Sequence, residues 1–415
     1  MNIKEKLKVL VTASTFPRGE NDSTPRFVLD VCKSLHEVGD SDCYVLAPHA
    51  EGTETSEILE GVRVKRYRYM TPVSWQKISG LGIVDKIRKN KFLALLVPFF
   101  LAAQLITLIR TIREYRPHVL LVHWIIPQGF VAVIARMFFP RLGILLFSHG
   151  GDVALIKKNF IFKRIGKFVL ERADKVVSVS SFGQQIMANI SRLSKKDIEI
   201  LSMGVDETEY SKCREFRAKN LKNLTKCLLF IGRIEEKKGL LYLLEAMPRI
   251  LKKHPDVVLK VIGTGSLKEE MEDISRRLNL EKNVTFIGAV DHSQIPRYFE
   301  EVMIFVVPSV DLEEDVEGLP TVIPETIAAS VPIVATDAGG ITDIIEDDVT
   351  GILVEQRNSI QLADKIIALI EDENKRKLLV ANAFKRLIEN HTYSVIGKRC
   401  QDMIDGVYSF KNENP

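Results

Sequence analysis

The chain is poor in the features that mark several protein classes. It has five cysteines in 415 residues (Cys32, Cys43, Cys213, Cys227 and Cys400), an odd number, scattered and never in C-x-x-C spacing. That argues against a disulfide framework or a cysteine zinc site and suits a reducing cytosol. Excess charge is small, formally +4, so a nucleic-acid partner is not indicated. The N-terminus, MNIKEKLKVLVTAS, runs straight into a strand pattern without the apolar core and small-residue cleavage site of a secretory signal. A cytoplasmic location is therefore expected. No D-x-D is associated with a strand–loop metal site, and the acidic stretch Asp311–Asp315 has no spacing assignable to a metal.

What is present is ordinary globular composition, 46% hydrophobic and 27% charged, over a length that suits two domains of about 200 residues. Short runs rich in Val, Ile and Leu alternate with helical patterns throughout. In the first half they are KVLVTAS (8–14), CYVLAP (43–48), VRVKRYRY (62–69), HVLLVHW (118–124), GILLFSH (143–149), KVVSVSS (175–181) and IEILSM (198–203). In the second half they are CLLFIG (227–232), VVLKVIG (257–263), VTFIG (284–288), IFVVPS (304–309), PIVATD (332–337) and GILVE (351–355). Nearly continuous apolar runs predict parallel strands covered by helices on both faces. The helical pattern PRFVLDVCKSLHEVG ends on Gly39, a fitting residue just past a helix, and Ser266-Leu-Lys-Glu269 reads as a capping box. Gly204–Thr225 is polar and weak in strand signal, which predicts a linker; the helical tail Asn374–Phe410 is long enough to cross back over it. The expected organisation is residues 1–205, residues 206–385 and a return helix in 386–415. Two such domains would put a ligand cleft between the carboxyl ends of their strands.

One segment stands apart. Phe92–Ile109, FLALLVPFFLAAQLITLI, has eighteen residues without a charge. Between Arg63 and Arg116 there are also twelve Lys/Arg against only Asp85 and Glu114. Length alone would allow a membrane span. Pro98, Gln104 and the flanking strand–helix units, which must share one compartment, favour a core helix or an apolar helix lying in an anionic membrane surface.

Chemistry is concentrated in the stretch Glu317-Gly-Leu-Pro-Thr-Val-Ile-Pro-Glu325, which follows a predicted strand. With Thr321 as N-cap, Pro324 falls at N3, where a missing N–H is tolerated. The free amides and dipole of that helix start make an anion site, and Gly318 lets backbone approach a ligand. Carboxylates on either side suit sugar hydroxyls, so the spacing fits a molecule with sugars flanking a phosphate group; an exposed acidic loop fits the same spacing. Arg233 and Lys238, after the strand at 227–232, are suited to phosphate oxygens, although a charged solvated loop would read alike. Gly263-Thr-Gly265 is a second close-approach turn, without the third glycine of a dinucleotide fingerprint.

These residues resemble the family 4 glycosyltransferases of the GT-B fold. The resemblance rests on E-x7-E at Glu317 and Glu325, on G-R-x(4)-K-G at Gly232, Arg233, Lys238 and Gly239, and on V-x-F-I-G, V-P-S and P-I-V-A-T-D-A-G-G at 284–288, 307–309 and 332–340. STFPRGENDSTPRFV (14–28), HWIIPQGF (123–130), SHGGD (148–152), ADKVVSVSSF (173–182) and LSMGVD (201–206) extend it over the first half. It implies two Rossmann-like parallel-sheet domains facing a central cleft, a C-terminal helix crossing back, and metal-independent transfer of a sugar, with retention, from a UDP- or GDP-sugar to a glycan or lipid-linked acceptor. It also implies roles. Glu317 would hold donor-sugar hydroxyls and Glu325 the ribose. Arg233 and Lys238 would neutralise the diphosphate, with Gly263 and the backbone of Gly318, Leu319, Pro320 and Thr321 nearby. Gly288-Ala-Val290 would lie against the base, and His149 would face the donor sugar. Relatives often read E-G-F-G where this chain has Glu317-Gly-Leu-Pro320, so one amide is missing, and the paired glycine of the first loop is reduced to Gly19. An epimerase on the same fold, or a membrane-binding module using the basic apolar segment at 63–116 at the inner face of a cell membrane, are the rival readings.

Overall fold

The computed structural model describes residues 6–413 apart from 20, 21, 23, 81, 82, 221–224, 314 and 315, and leaves aside the side chains of Val84, Asp85, Arg88 and Lys158. Glu314 and Asp315 of the acidic loop and the Arg88 side chain of the basic segment thus lie outside the described residues. The chain forms two units, residues 1–202 with 393–415, and residues 203–392.

The first unit is built on eight strands: β1 Leu7–Thr12, β2 Ser41–Pro48, β3 Ser56–Leu59, β4 Val62–Tyr67, β5 Val119–His123, β6 Gly143–Ser148, β7 Lys175–Ser178 and β8 Ile198–Ile200. Their order is β3-β4-β2-β1-β5-β6-β7-β8, parallel throughout except where β3 pairs antiparallel with β4. Every side chain of β5 and β6 is buried, as an apolar run covered on both faces requires. β3 escaped the sequence reading. It is a four-residue edge strand, Ser-Glu-Ile-Leu, joined to β4 by the two-residue turn Glu60-Gly61, both at positive φ.

One face of this sheet is covered by the helices Val97–Tyr115, Phe130–Arg136, Phe160–Leu170 and Ser181–Ile190. The other is covered by the helices Phe27–Val38 and Tyr393–Glu413. The expected single tail helix breaks at Thr392, so that Glu373–Asn390 belongs to the second unit and Tyr393–Glu413 to the first. Small residues set the fit of that last helix. A Cβ at Gly397 would lie 2.7 Å from Ser34 Oγ, and one at Gly143 would lie 2.4 Å from Val407. Ser41 donates to Gln401 at 2.7 Å, and Lys411 meets Asp174 at 2.9 Å.

The second unit has six parallel strands: β9 Cys227–Ile231, β10 Val258–Ile262, β11 Val284–Gly288, β12 Val302–Val307, β13 Ile333–Thr336 and β14 Ile352–Val354. Their order, β11-β10-β9-β12-β13-β14, is that of a dinucleotide-binding sheet, and it reverses direction between β9 and β12. The expected linker corrects to structure: Ser211–Asn220 is a helix of this unit. Its sequence is too polar to show an apolar face; a buried arginine, Arg217, anchors it together with Arg214, which donates to the Ala328 carbonyl at 2.9 Å. Arg217 donates to the carbonyls of Phe299 (2.8 Å), Val302 and Ser330 (3.1 Å), and burial brings its pKa down to about 10. Ser266 does not cap as expected either. Helix Lys268–Arg277 starts after Leu267 with no side-chain cap.

Arg217→Ala would strand three carbonyls in the interior. It should cost about 2–4 kcal/mol in urea unfolding, with Arg217→Lys intermediate because an ammonium cannot reproduce the planar fork. Equal stability of all three chains would show that the helix is not held by this residue.

Candidate functional site

In an open parallel sheet the loops at the strand-order reversal diverge and leave a crevice. In the second unit those loops follow β9 and β12, and they carry Lys238 and Glu317. Glu317 is 5% exposed, yet charged groups reach it: Lys238 Nζ donates to its Oε2 at 2.7 Å and Ser309 Oγ to the same oxygen at 3.1 Å. Burial works to raise its pKa, but Lys238, Lys237 and the two hydrogen bonds outweigh it and hold the carboxyl below its ordinary value. Oε1 makes no hydrogen bond among the described residues.

Backbone geometry permits this approach. Gly239 (φ +66) sits where a Cβ would come within 1.8 Å of the Pro308 carbonyl, so only glycine lets the β9 loop press against the β12 loop. Gly339 (φ +45) does the same beneath Glu317, whose carbonyl would be 1.8 Å from an added Cβ. Asp311 fastens the loop from inside. Its Oδ1 accepts from Glu317 N at 3.0 Å and its Oδ2 from Gly339 N and Gln356 Nε2, each at 3.1 Å. Sequence reasoning grouped Asp311 with an acidic stretch and missed it; its partners lie up to 45 residues away.

The helix after the loop starts where expected, at Val322, with Pro324 at its third position, but it is only seven residues long. Thr321 stands at the N-cap in helical conformation and its side chain caps nothing, contrary to expectation. Ile323 N is turned to Pro320 O at 3.1 Å. The amides of Gly318, Leu319 and Thr321 make no hydrogen bond among the described residues, and a Cβ at Gly318 would meet nothing within 4 Å. Glu325 accepts from His292 Nε2 at 3.2 Å, which ties the loop beyond Val290 to this helix. His292 carried no sequence signal.

Other expected residues are placed differently. Arg233 is 61% exposed at its side chain and paired with Glu235 at 2.9 Å. Gly263 (φ +135) serves a close approach to the Gly232 carbonyl, 1.9 Å from an added Cβ, so chain packing already accounts for it. Val290 is half-buried against the unit's own core.

Gly19 and His149 belong to the first unit. Gly19 lies in the loop after β1 with open space around it. His149 follows β6, and its Nε2 is 2.9 Å from Nδ1 of His123, the last residue of β5. Phe27 and Trp124 enclose the pair, with ring centroids 4.7 and 4.8 Å from that of His149. Asp152, 4% exposed, fixes both loops by accepting from Ile125 N at 2.8 Å and His149 N at 3.0 Å. Burial pushes the His123 pKa down to about 3 and lowers His149, which the His123 charge would lower further. Both imidazoles are therefore neutral at pH 7.

Similarity to known proteins agrees with this arrangement. A family model described as Glycosyl transferases group 1 matches residues 212–386, and one described as Glycosyltransferase Family 4 matches 24–209. An uncharacterized glycosyltransferase of Methanocaldococcus jannaschii is 27% identical over 54% of this chain; the chain spans 58% of that relative's length. A GDP-mannose-dependent alpha-(1-6)-phosphatidylinositol monomannoside mannosyltransferase of Mycobacterium tuberculosis is 24% identical over 63% of this chain and 69% of its own. Among solved structures, Anabaena HepE in complex with UDP superposes with a TM-score of 0.72 at 18% identity, covering 97% of this chain and 100% of that one. These likenesses show the GT-B fold.

Two outcomes follow from the buried charges. Lys238→Met leaves Glu317 ionised without its partner and should cost about 3–5 kcal/mol, whereas Glu317→Gln frees Lys238 to turn toward solvent and should cost less. Urea unfolding of the two variants measures the asymmetry, and a reversed order would show that the carboxylate is not charged. For the histidines, the unfolded imidazole protonates near 6.5 and the folded one far lower, so the unfolded state binds more protons below that pH. Their stability contribution is intact above about 6.5 and is lost as pH falls toward about 3. His149→Gln should flatten the fall of the urea midpoint across that window. An unchanged slope would mean that His149 titrates normally when folded.

Proposed function

The chain belongs to the family 4 glycosyltransferases, and from that premise we propose that it moves a sugar from a UDP- or GDP-sugar to a hydroxyl of a glycan or lipid-linked acceptor, with retention at the anomeric carbon. The observation that carries the reading is the Glu317–Lys238 pair at the strand-order reversal between β9 and β12, with Oε1 of Glu317 and three loop amides left for a ligand. Two relatives point the same way: the mycobacterial protein is described as GDP-mannose-dependent, and HepE was solved with UDP.

In this reading the donor diphosphate lies on the amides of Gly318, Leu319 and Thr321, with Lys238 beside it. Lys238 then touches both the phosphate and Glu317, so one cation serves the leaving group and the carboxylate that accepts sugar hydroxyls. Arg233 exchanges Glu235 for phosphate oxygen. As the bond from anomeric carbon to phosphate oxygen breaks, negative charge grows on the diphosphate, and these donors stabilise it more than they stabilise the intact donor. Glu325, held by His292, accepts from the ribose. With no carboxylate assigned as a covalent nucleophile, the acceptor hydroxyl attacks from the side the diphosphate leaves and gives its proton to a departing phosphate oxygen, which accounts for retention. Side chains and amides supply the positive charge, so no metal is required.

Screening the full chain against UDP-, GDP- and ADP-sugars by thermal stabilisation identifies the donor, because a native-state ligand raises the midpoint. With that donor, Glu317→Gln should lower kcat by about 10²-fold or more. Arg233→Ala should weaken nucleoside-diphosphate binding by about tenfold in calorimetry, and EDTA should leave turnover unchanged. Near-normal turnover in Glu317→Gln, or loss in EDTA with recovery in magnesium, would overturn the mechanism.

A further inference from the structure

The apolar segment at 92–109 is neither buried nor uniformly exposed. Lys91–Leu96 forms a 3-10 turn that continues into helix Val97–Tyr115. Phe100, Gln104, Leu108 and Ile112, spaced for one face, are buried against the first sheet. The opposite stripe is open to solvent: Phe92 is 81% exposed, Leu95 70%, Phe99 56% and Ile106 51%. The helix therefore packs on the sheet along one side and leaves an apolar stripe uncovered along the other.

A second element repeats the arrangement. Helix Phe160–Leu170 opens on Phe160 and Ile161, 70% and 65% exposed. Both starts are pinned by an asparagine. Asn90 accepts from Phe92 N at 3.1 Å, and Asn159 accepts from Ile161 N at 2.8 Å. Capping residues fix the first turn, so each exposed aromatic is held outward rather than left to fold back. The two helices lead into β5 and β7 of a parallel sheet and lie in one layer on one face of it. They therefore run against the strands and begin at the same edge, the carboxyl one. Helix Phe130–Arg136 packs between them, so the two tips are separate points on that edge.

Charge identifies what covers such tips. Lys89 and Lys91 adjoin the first, and Lys163 and Arg164 the second; all four are exposed and none is ion-paired among the described residues. Arg164 lies over the Phe160 ring at 5.2 Å. Of the acids near these tips, Asp152 is buried on backbone amides, and the Asp85 side chain lies outside the described residues. Separate apolar tips ringed by cations do not make a groove for a helix or strand. They fit a plane that is apolar inside and anionic at its surface.

We propose that the first unit docks on an anionic lipid bilayer through two tips, Phe92/Leu95 and Phe160/Ile161, each flanked by Lys/Arg. The inference does not depend on the donor chemistry. It adds residues 157–167 to the basic segment at 63–116 and turns a single core or interfacial helix into a two-point contact.

The test is co-sedimentation of the full chain with vesicles of phosphatidylcholine, with and without phosphatidylglycerol, over a sodium chloride series. Binding should need the anionic lipid and weaken with salt. Phe92→Ser with Leu95→Ser, and Phe160→Ser with Ile161→Ser, should each lower partitioning by about tenfold, and the two pairs together should abolish it. Met137→Ser with Phe138→Ser, exposed at the other end of the helical layer, should change nothing. Thermal midpoints confirm that each variant is folded. No binding by the wild type, binding indifferent to lipid charge, or unaltered binding by the Phe160/Ile161 pair would overturn the proposal. So would light scattering that shows a dimer dissolved by either pair, which would assign the tips to a second copy of the chain.

Discussion

The second unit is organised around one demand, the burial of an ionised carboxylate. Taking Glu317 out of water opposes its charge by several kcal/mol, and the unit answers with Lys238 at 2.7 Å and the Ser309 hydroxyl at 3.1 Å. Those donors come from two loops that a doubly wound sheet would otherwise let diverge. Bringing them together needs backbone contacts that no side chain allows, hence Gly239 against Pro308 and Gly339 against Glu317. Asp311 then binds the amides of Glu317 and Gly339, so the carboxylate's own backbone is fixed before its side chain is. Remove the ion pair and these local choices lose their purpose.

The first unit meets a similar demand by the opposite route. It too buries an acid, Asp152, but satisfies it with the backbone amides of Ile125 and His149 instead of a cation. Burial leaves that carboxyl with a raised pKa despite its hydrogen bonds. Beside it the His123–His149 pair stays neutral, since a proton on either ring would be charged in an enclosed, largely aromatic setting. With Nε2 of His149 taken by His123, its Nδ1 is the ring nitrogen left without a hydrogen bond among the described residues.

How much of this was legible depended on how local the cause was. Among the described residues, apolar runs located thirteen of the fourteen strands, most of them continuous because burial on both faces leaves that composition. β3 was missed because an edge strand of Ser-Glu-Ile-Leu has no such composition; its signal was the Glu60-Gly61 turn. The helix Ser211–Asn220 was read as linker because its anchor, Arg217, acts through carbonyls 82 to 113 residues away. In the site, Glu317, Lys238 and Gly318 were readable as residue types suited to a charged sugar ligand. Their mutual distance was not, nor was the part played by Asp311, whose meaning comes from tertiary partners. Caps were the weakest inference: Ser266 and Thr321 have the right identity and make no capping bond, since each helix starts within a loop already set by other contacts.

The same ion pair also limits what the site can do before a ligand arrives. Lys238 and Ser309 both use Oε2 of Glu317, so the carboxylate is held in place through one oxygen while the other is left unused. The Gly318, Leu319 and Thr321 amides are likewise unbonded among the described residues, although the loop around them is tied at Glu317 and Gly340. Groups fixed in direction but lacking partners lower the stability of the free chain and need little reorganisation when an anion or hydroxyl enters. A loop designed only for stability would have closed on itself, with Thr321 capping the helix and both oxygens of Glu317 engaged. That it does neither is the strongest reason to read this loop as a ligand site.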